Sequence, residues 1–163
     1  MDQTTPTSEV GTDRVRRAWN DHHERLWRAV LAWSGDPDVA SDAVAEAFAQ
    51  ALRRGDEVDD VPRWVWRSAF RIAGGLLQDR RIRDGRGAAV PEGTAPAPDD
   101  LVVLLDALTR LRPSDREVIT LSLVGGWSSH DIAELVGSTS GAVRVRLSRA
   151  RRQLRHLLED DHG

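Results

Sequence analysis

Apolar residues recur at spacings of three and four along almost the whole chain, and no run of strand length alternates between turn signals. The pattern therefore predicts an all-α fold. A first helix is expected from about Asp13 to Trp33, with Val15, Trp19, Leu26, Val30 and Trp33 on one stripe and Gly35 and Pro37 stopping it. A second, from about Asp38 to Arg53, carries a cleaner stripe of Ala40, Ala43, Val44, Ala47, Phe48, Ala51 and Leu52. Asp59 or Asp60 is positioned to cap a third, with Pro62 in its first turn. It continues from Trp64 to Arg83 through Gly74 and Gly75, which cost about 1 kcal/mol each relative to Ala.

From Asp84 to Asp100 the text becomes DGRGAAVPEGTAPAPDD, rich in Gly, Ala and Pro and without large apolar groups, which reads as a flexible linker. Beyond it Leu101, Leu104, Leu105, Leu108 and Leu111 form a helical stripe that Pro113 ends. Ser114 and Glu117 then have the spacing of a capping box, ahead of an element closed by Gly125-Gly126. The expected organisation is a disordered N-terminus over 1–12, a helical domain over 13–84, a linker over 85–100, a second helical domain over 101–158 and an acidic tail over 159–163.

The most informative stretch runs from Trp127 to Leu158. Ser128 can cap a short helix buried through Ile132, Ala133 and Val136, Gly137 opens a tight turn at Ser138-Thr139, and a longer helix follows. Its stripe of Val143, Leu147, Ala150, Leu154 and Leu158 packs inward, so at 100° per residue Val145, Ser148, Arg149 and Arg152 point away. A short helix propping a longer one whose outer face is free is the geometry of a helix-turn-helix reader of the major groove.

Charge sharpens this picture. The 163 residues (18.1 kDa) carry a net charge of −3, yet residues 36–60 sum to −6, 63–86 to +5 and 142–158 to +6. Two separate basic blocks in an acidic chain point to two contacts with a polyanion, leaving acidic surface for another protein. Every cation except histidine is Arg, whose planar fork suits phosphates and base edges. The absence of Cys excludes disulfides, thiolate zinc sites and cysteine nucleophiles. Five scattered His offer no metal-ligand spacing and no nucleophile-elbow motif occurs, so no enzyme, metal or cofactor is expected. No apolar run nears the ~18 residues of a membrane span and the N-terminus lacks the form of a secretory signal. The expectation is a cytoplasmic protein without membrane insertion.

The segment Leu105 to Leu158 resembles region 4 of sigma factors of the extracytoplasmic-function (ECF) type. LTRLRPSDREVITL matches the opening of that region and DIAELVGSTSGAVRVRLSRARRQL its recognition unit. Upstream, DPDVASDAVAEAFAQALRR looks like region 2, with Ala45 where Gln is usual, and PRWVWRSAFRIAGGLLQDRRIR resembles the aromatic and basic stretch that follows.

The resemblance implies a factor that directs core RNA polymerase to promoter DNA, without cofactors, and that is held in check by an anti-sigma factor. It further implies that Asp42 and Glu46, one turn apart on the second helix, face the polymerase. Arg63, Arg67, Arg71, Arg80 and Arg81 would hold the −10 element and the melted strand, beside Trp64, Trp66 and Phe70. Val145, Ser148 and Arg149 would meet base edges of the −35 element, with Arg144, Arg152 and Arg155 on phosphates and Arg146 and Arg151 structural or peripheral. Two other readings fit the residues: a dimeric helix-turn-helix regulator using residues 13–83 as a sensor or dimerisation domain, and a helical interaction module binding through its acidic second helix.

Overall fold

The computed structural model describes residues 9–84, 99–161 and 163. Seven α-helices account for nearly all of them: α1 (Glu9–Ser34), α2 (Pro37–Arg54), α3 (Val61–Asp84), α4 (Asp99–Thr109), α5 (Pro113–Leu123), α6 (Ser129–Val136) and α7 (Ser140–Asp160). No strand occurs among the described residues.

Helices α1, α2 and α3 pack side by side. Asp36 sets the start of α2: its carboxylate accepts the N–H groups of Asp38 (2.9 Å) and Val39 (3.2 Å), Pro37 fills the first turn, and Gly35 turns the chain at φ +70°. The small side chains of Ala40, Ala43, Ala47 and Ala51 are all fully buried. They let α3 come close enough to seat Val65, Trp66, Ala69 and Phe70 in the core. Asp60 caps α3 by accepting the Arg63 N–H at 3.1 Å.

Helices α4 to α7 form a second group around Leu108, Leu111, Val118, Ile119, Ile132, Val143, Leu147 and Leu154. Ser128 caps α6 through the Asp131 N–H (3.2 Å), Gly137 ends it at φ +68°, and Thr139 caps α7 through the Ala142 N–H (3.2 Å). The expected helix-turn-helix is therefore present with its caps in place.

Several sequence expectations shift. Helix α1 begins at Glu9, so residues 9–12 are helical where a disordered N-terminus was expected, and residues 1–8 lie outside the described residues. Of the expected linker, 85–98 also lies outside them, while Asp99 and Asp100 open α4. Pro113 does not end a helix but starts α5. With Pro113 at the first position, Ser114 is already inside the helix, and no side chain caps its start. Trp19 lies at the rim of α1, 39% exposed, edge-on to Phe48 and stacked on His23, and Leu52 is 42% exposed.

The two helix groups touch directly. Trp66 of α3 meets Trp127 of the α5–α6 turn edge-on with centroids 5.5 Å apart, and Trp127 stacks on His22 of α1. Gly125 makes this contact possible, since a Cβ there would stand 2.5 Å from the Leu121 carbonyl oxygen and 2.9 Å from the Trp66 ring. Below it Arg116 of α5 donates to three carbonyls, those of Trp33 at the end of α1 (3.2 Å), Thr109 (2.9 Å) and Leu111 (3.2 Å).

Candidate nucleic-acid interface

One flank of α7 and the turn leading into α6 enclose an open groove of about 650 Å³. From α7 come Arg144, Ser148, Arg151, Arg152 and Arg155, with Leu147 at the floor. Opposite them stand Ser122, Trp127, Ser128 and Ser129. Positions 144, 148, 151 and 155 follow the i, i+4, i+7, i+11 spacing of one helix face, which brings the guanidinium groups of Arg144, Arg151 and Arg155 to one side with Ser148 between them, and Arg152 borders the same face as a fourth. Among the described residues none of these four Arg is paired with a carboxylate, and Arg151 touches only the Ser122 hydroxyl at 3.4 Å. The first turn of α6 adds free backbone N–H groups and the positive end of its dipole at the same mouth. Such a trough has the positive charge and the N–H donors that a phosphate backbone takes.

The opposite flank of α7 is fastened instead. Arg149 grips Asp115 of α5 with its fork, Nε to Oδ2 at 3.1 Å and Nη2 to Oδ1 at 2.8 Å, and Asp115 is fully buried. Hydrogen bonding to that carboxylate, then its charge, raises the Arg149 pKa further above its already high value. Where a base contact was expected of Arg149, the fork that a paired guanine contact requires is here engaged by Asp115, with the Arg149 side chain 49% exposed. Glu117 of α5 lies on the same side, its pKa raised by burial and partly restored by the charge of Arg146. Val145 is 63% exposed but does not line the groove. Arg151, expected to be peripheral, does, as its place 80° from Val143 on the helical wheel allows.

On α3 the expected DNA contacts divide. Arg63, Arg67 and Arg71 share one face, turned toward α5 and α6. Arg67 and Arg71 are exposed and border a cleft of about 270 Å³ with Glu117 and Leu135. Arg63 is not free: it donates to Asp131 of α6 at 2.6 Å and is ion-paired with Glu134 and Asp60. Arg80, expected as a DNA contact, points the other way, into an ion pair with Asp36, which is 5% exposed, and so ties α3 to the start of α2. Arg81 is exposed near the end of α3, close enough for its charge to lower the Arg116 pKa behind the larger effect of burial. Trp66 is wholly buried and Phe70 nearly so, while Trp64 is half-buried with Arg54 over its ring. The aromatics of α3 are thus mainly core.

On α2, Asp42 is exposed and Glu46 half-exposed beside it. Glu46 accepts from Gln50 (3.0 Å) and Arg53 (2.7 Å), and these hydrogen bonds lower its pKa. Next to this face a shallow groove holds Trp19, His23 and Trp27, with the Trp27 indole donating to Ser41 at 3.0 Å. Periodicity set Trp19 on the apolar stripe of the first helix, and no periodicity signal distinguishes a rim indole from a core one.

The Sigma-70, region 4 family model matches residues 101–154, the span of α4 to α7 up to the buried Leu154. Over 158 residues, 90% of this chain and 89% of the relative, the sequence is 31% identical to the ECF RNA polymerase sigma factor SigL of Mycobacterium tuberculosis. The chain belongs to the ECF RNA polymerase sigma factors. It is also 33% identical to the RNA polymerase sigma factor CarQ of Myxococcus xanthus, across 74% of this sigma factor and 75% of CarQ. The fold agrees with that of the Bartonella quintana sigma factor RpoE, solved with the anti-sigma factor NepR (TM-score 0.74, 23% identity, 88% of this chain and 96% of that one). It agrees equally with CnrH, solved with the cytosolic domain of CnrY (TM-score 0.73, 22% identity, 93% and 96%). A family match running from α1 to α7 selects the promoter-directing sigma factor over the stand-alone regulator and the interaction module. Among the described residues of this sigma factor no helix is long and apolar enough to cross a membrane, and no cluster of potential metal ligands occurs.

Proposed function

We propose that the groove beside α7 is where this sigma factor holds the duplex of the −35 element. The observation that carries the reading is the convergence of Arg144, Arg151, Arg152 and Arg155, none paired with an acid among the described residues, on one trough with the start of α6. Ser148 and Arg144 meet base edges, Val145 reaches a thymine methyl from the crest of the helix, and Arg151, Arg152 and Arg155 neutralise phosphates. Helix α3 serves the −10 element through Arg67, Arg71 and Arg81, joined by Arg63 once α6 moves away. Asp42 and Glu46 form the acidic face toward core polymerase. RpoE and CnrH both appear with a bound protein partner, which supports an anti-sigma partner here and a cytoplasmic place of action.

The test is initiation by core polymerase with the sigma factor on promoters randomised upstream, at several salt concentrations. Arg152→Ala should weaken all upstream sequences alike and shrink the salt slope by about 0.9. Ser148→Ala should change the preferred base at one position. If both variants keep the original slope and preference, the groove does not hold the upstream duplex.

A further inference from the structure

We propose that Asp115 is a positioning residue for promoter reading: through Arg149 it fixes the roll of α7 about its own axis and so aims the groove residues at the DNA. This rests on the reading of the α7 groove given above.

The inward stripe of α7 consists of Val143, Leu147, Ala150 and Leu154. Apolar burial is non-directional, so the stripe sets which side of α7 faces inward without the angular sharpness of a directional bond. Rotation matters here. At the ~5–6 Å radius of side-chain tips, a roll of ~20° displaces a tip by about 2 Å, far beyond the few tenths of an ångström that a hydrogen bond to a base tolerates.

The fork from Arg149 to Asp115 supplies the missing directionality, because two parallel N–H···O bonds fix orientation as well as distance. Three features make Asp115 a rigid anchor. It is fully buried, it sits in the first turn of α5 where the helix dipole favours an anion, and α5 is itself fastened by Arg116 to carbonyls of α1 and of the α4–α5 turn. On the same flank Glu117 faces the charge of Arg146, a second acid–guanidinium relation along one side of α7. The opposite flank carries Arg144, Ser148, Arg151, Arg152 and Arg155, with no such tie to an acid among the described residues. One flank is therefore fixed and the other presented.

The experiment uses the full chain with core polymerase. Initiation is read on promoters randomised upstream and on a template with a pre-melted start region lacking an upstream element, beside urea melts of each variant. Asp115→Asn and Arg149→Ala should each lower initiation on the upstream-dependent promoter about fivefold or more and flatten preference at several upstream positions together. Initiation on the pre-melted template should be unchanged. Arg149→Lys should restore only part of the effect, since an ammonium keeps the charge but not the fork. The double variant Asp115→Asn/Arg149→Ala should be no worse than either single in base preference, and more stable than Arg149→Ala, which leaves a buried carboxylate without its cation.

Loss of preference at a single position in Arg149→Ala, with Asp115→Asn unaffected, would mean that Arg149 reads a base directly and the proposal is wrong. Equal losses on both templates that follow the loss of stability would reduce the pair to a fold contact, which also overturns it. Failure of the groove reading is visible separately, as an Arg152→Ala variant that leaves the salt slope intact.

Discussion

Arg63 of α3 donates to Asp131 of α6 at 2.6 Å, and the same Asp131 accepts from the Ser128 hydroxyl that caps α6 at 2.9 Å. A cation of the first helix group is thereby bonded to the entrance of the helix-turn-helix in the second. The −35 and −10 elements are named for positions about 25 base pairs apart, on the order of 85 Å of duplex at ~3.4 Å per step. With α3 on the −10 element and α7 on the −35 element, as proposed above, helices in direct contact could not serve both at once, and that assignment requires α6 and α3 to part. Arg63→Ala should favour the parted form, raising the radius of gyration in small-angle scattering while leaving helical content unchanged. Superimposable scattering curves for variant and parent would show that Arg63 does not hold the groups together.

Acidification should loosen the same junction. His22 accepts the Trp66 indole N–H at 3.3 Å through Nδ1 and stacks on Trp127. Burial, then the charge of Arg25, lowers its pKa below the ordinary value near 6.5, so folding favours the neutral ring. The contribution is complete above about pH 6.5 and is lost as pH falls through the lower folded value, where protonation removes the acceptor. The fluorescence of Trp66 and Trp127, followed with thermal melts between pH 7.5 and 5, should report this loss. In His22→Gln, whose amide oxygen accepts at any pH, that component should vanish.

Arg80 should matter for stability and not for promoter choice. Removing its guanidinium leaves Asp36 nearly buried without its cation, although Asp36 keeps the two N–H groups it caps. Arg80→Ala should therefore destabilise by about 1–3 kcal/mol, less than the ~3–5 kcal/mol of breaking a fully buried pair because Arg80 is itself partly exposed. Urea melts measure the loss, and base preference at the −10 element should stay as it was.

The two acids of α2 should not be equivalent toward core polymerase. Glu46 is already shared by Gln50 and Arg53, whereas Asp42 stands exposed one turn earlier. Asp42→Arg should weaken capture of core polymerase more than Glu46→Arg does, with helical content preserved in both. Undiminished capture by the double variant would reduce this face to solvated surface.

How far the sequence reaches is clear from particular residues. Ser128, Gly137 and Thr139 announce the helix-turn-helix, because caps and left-handed turns are local chemistry that a few neighbouring residues determine. The alanine stripe of α2 likewise foretells its burial. Arg149 and Arg80 were not legible as internal ties: each sits in an Arg-rich run whose members look alike until the fold brings Asp115, 34 residues away, or Asp36, 44 residues away, to one of them. The contact between Trp66 and Trp127 escaped for the same reason, since helical periodicity says which face is apolar and not which helix covers it.

Arg116 addresses only main-chain oxygens, at positions 33, 109 and 111. Every residue presents the same carbonyl, so this joint does not depend on which side chains those three positions carry. Substitution can proceed there without undoing it, whereas position 116 itself has little freedom: lysine would keep the charge but could not reach three carbonyls from one planar group. Tolerance to mutation is thus distributed unevenly across a single contact, with one partner replaceable and the other not.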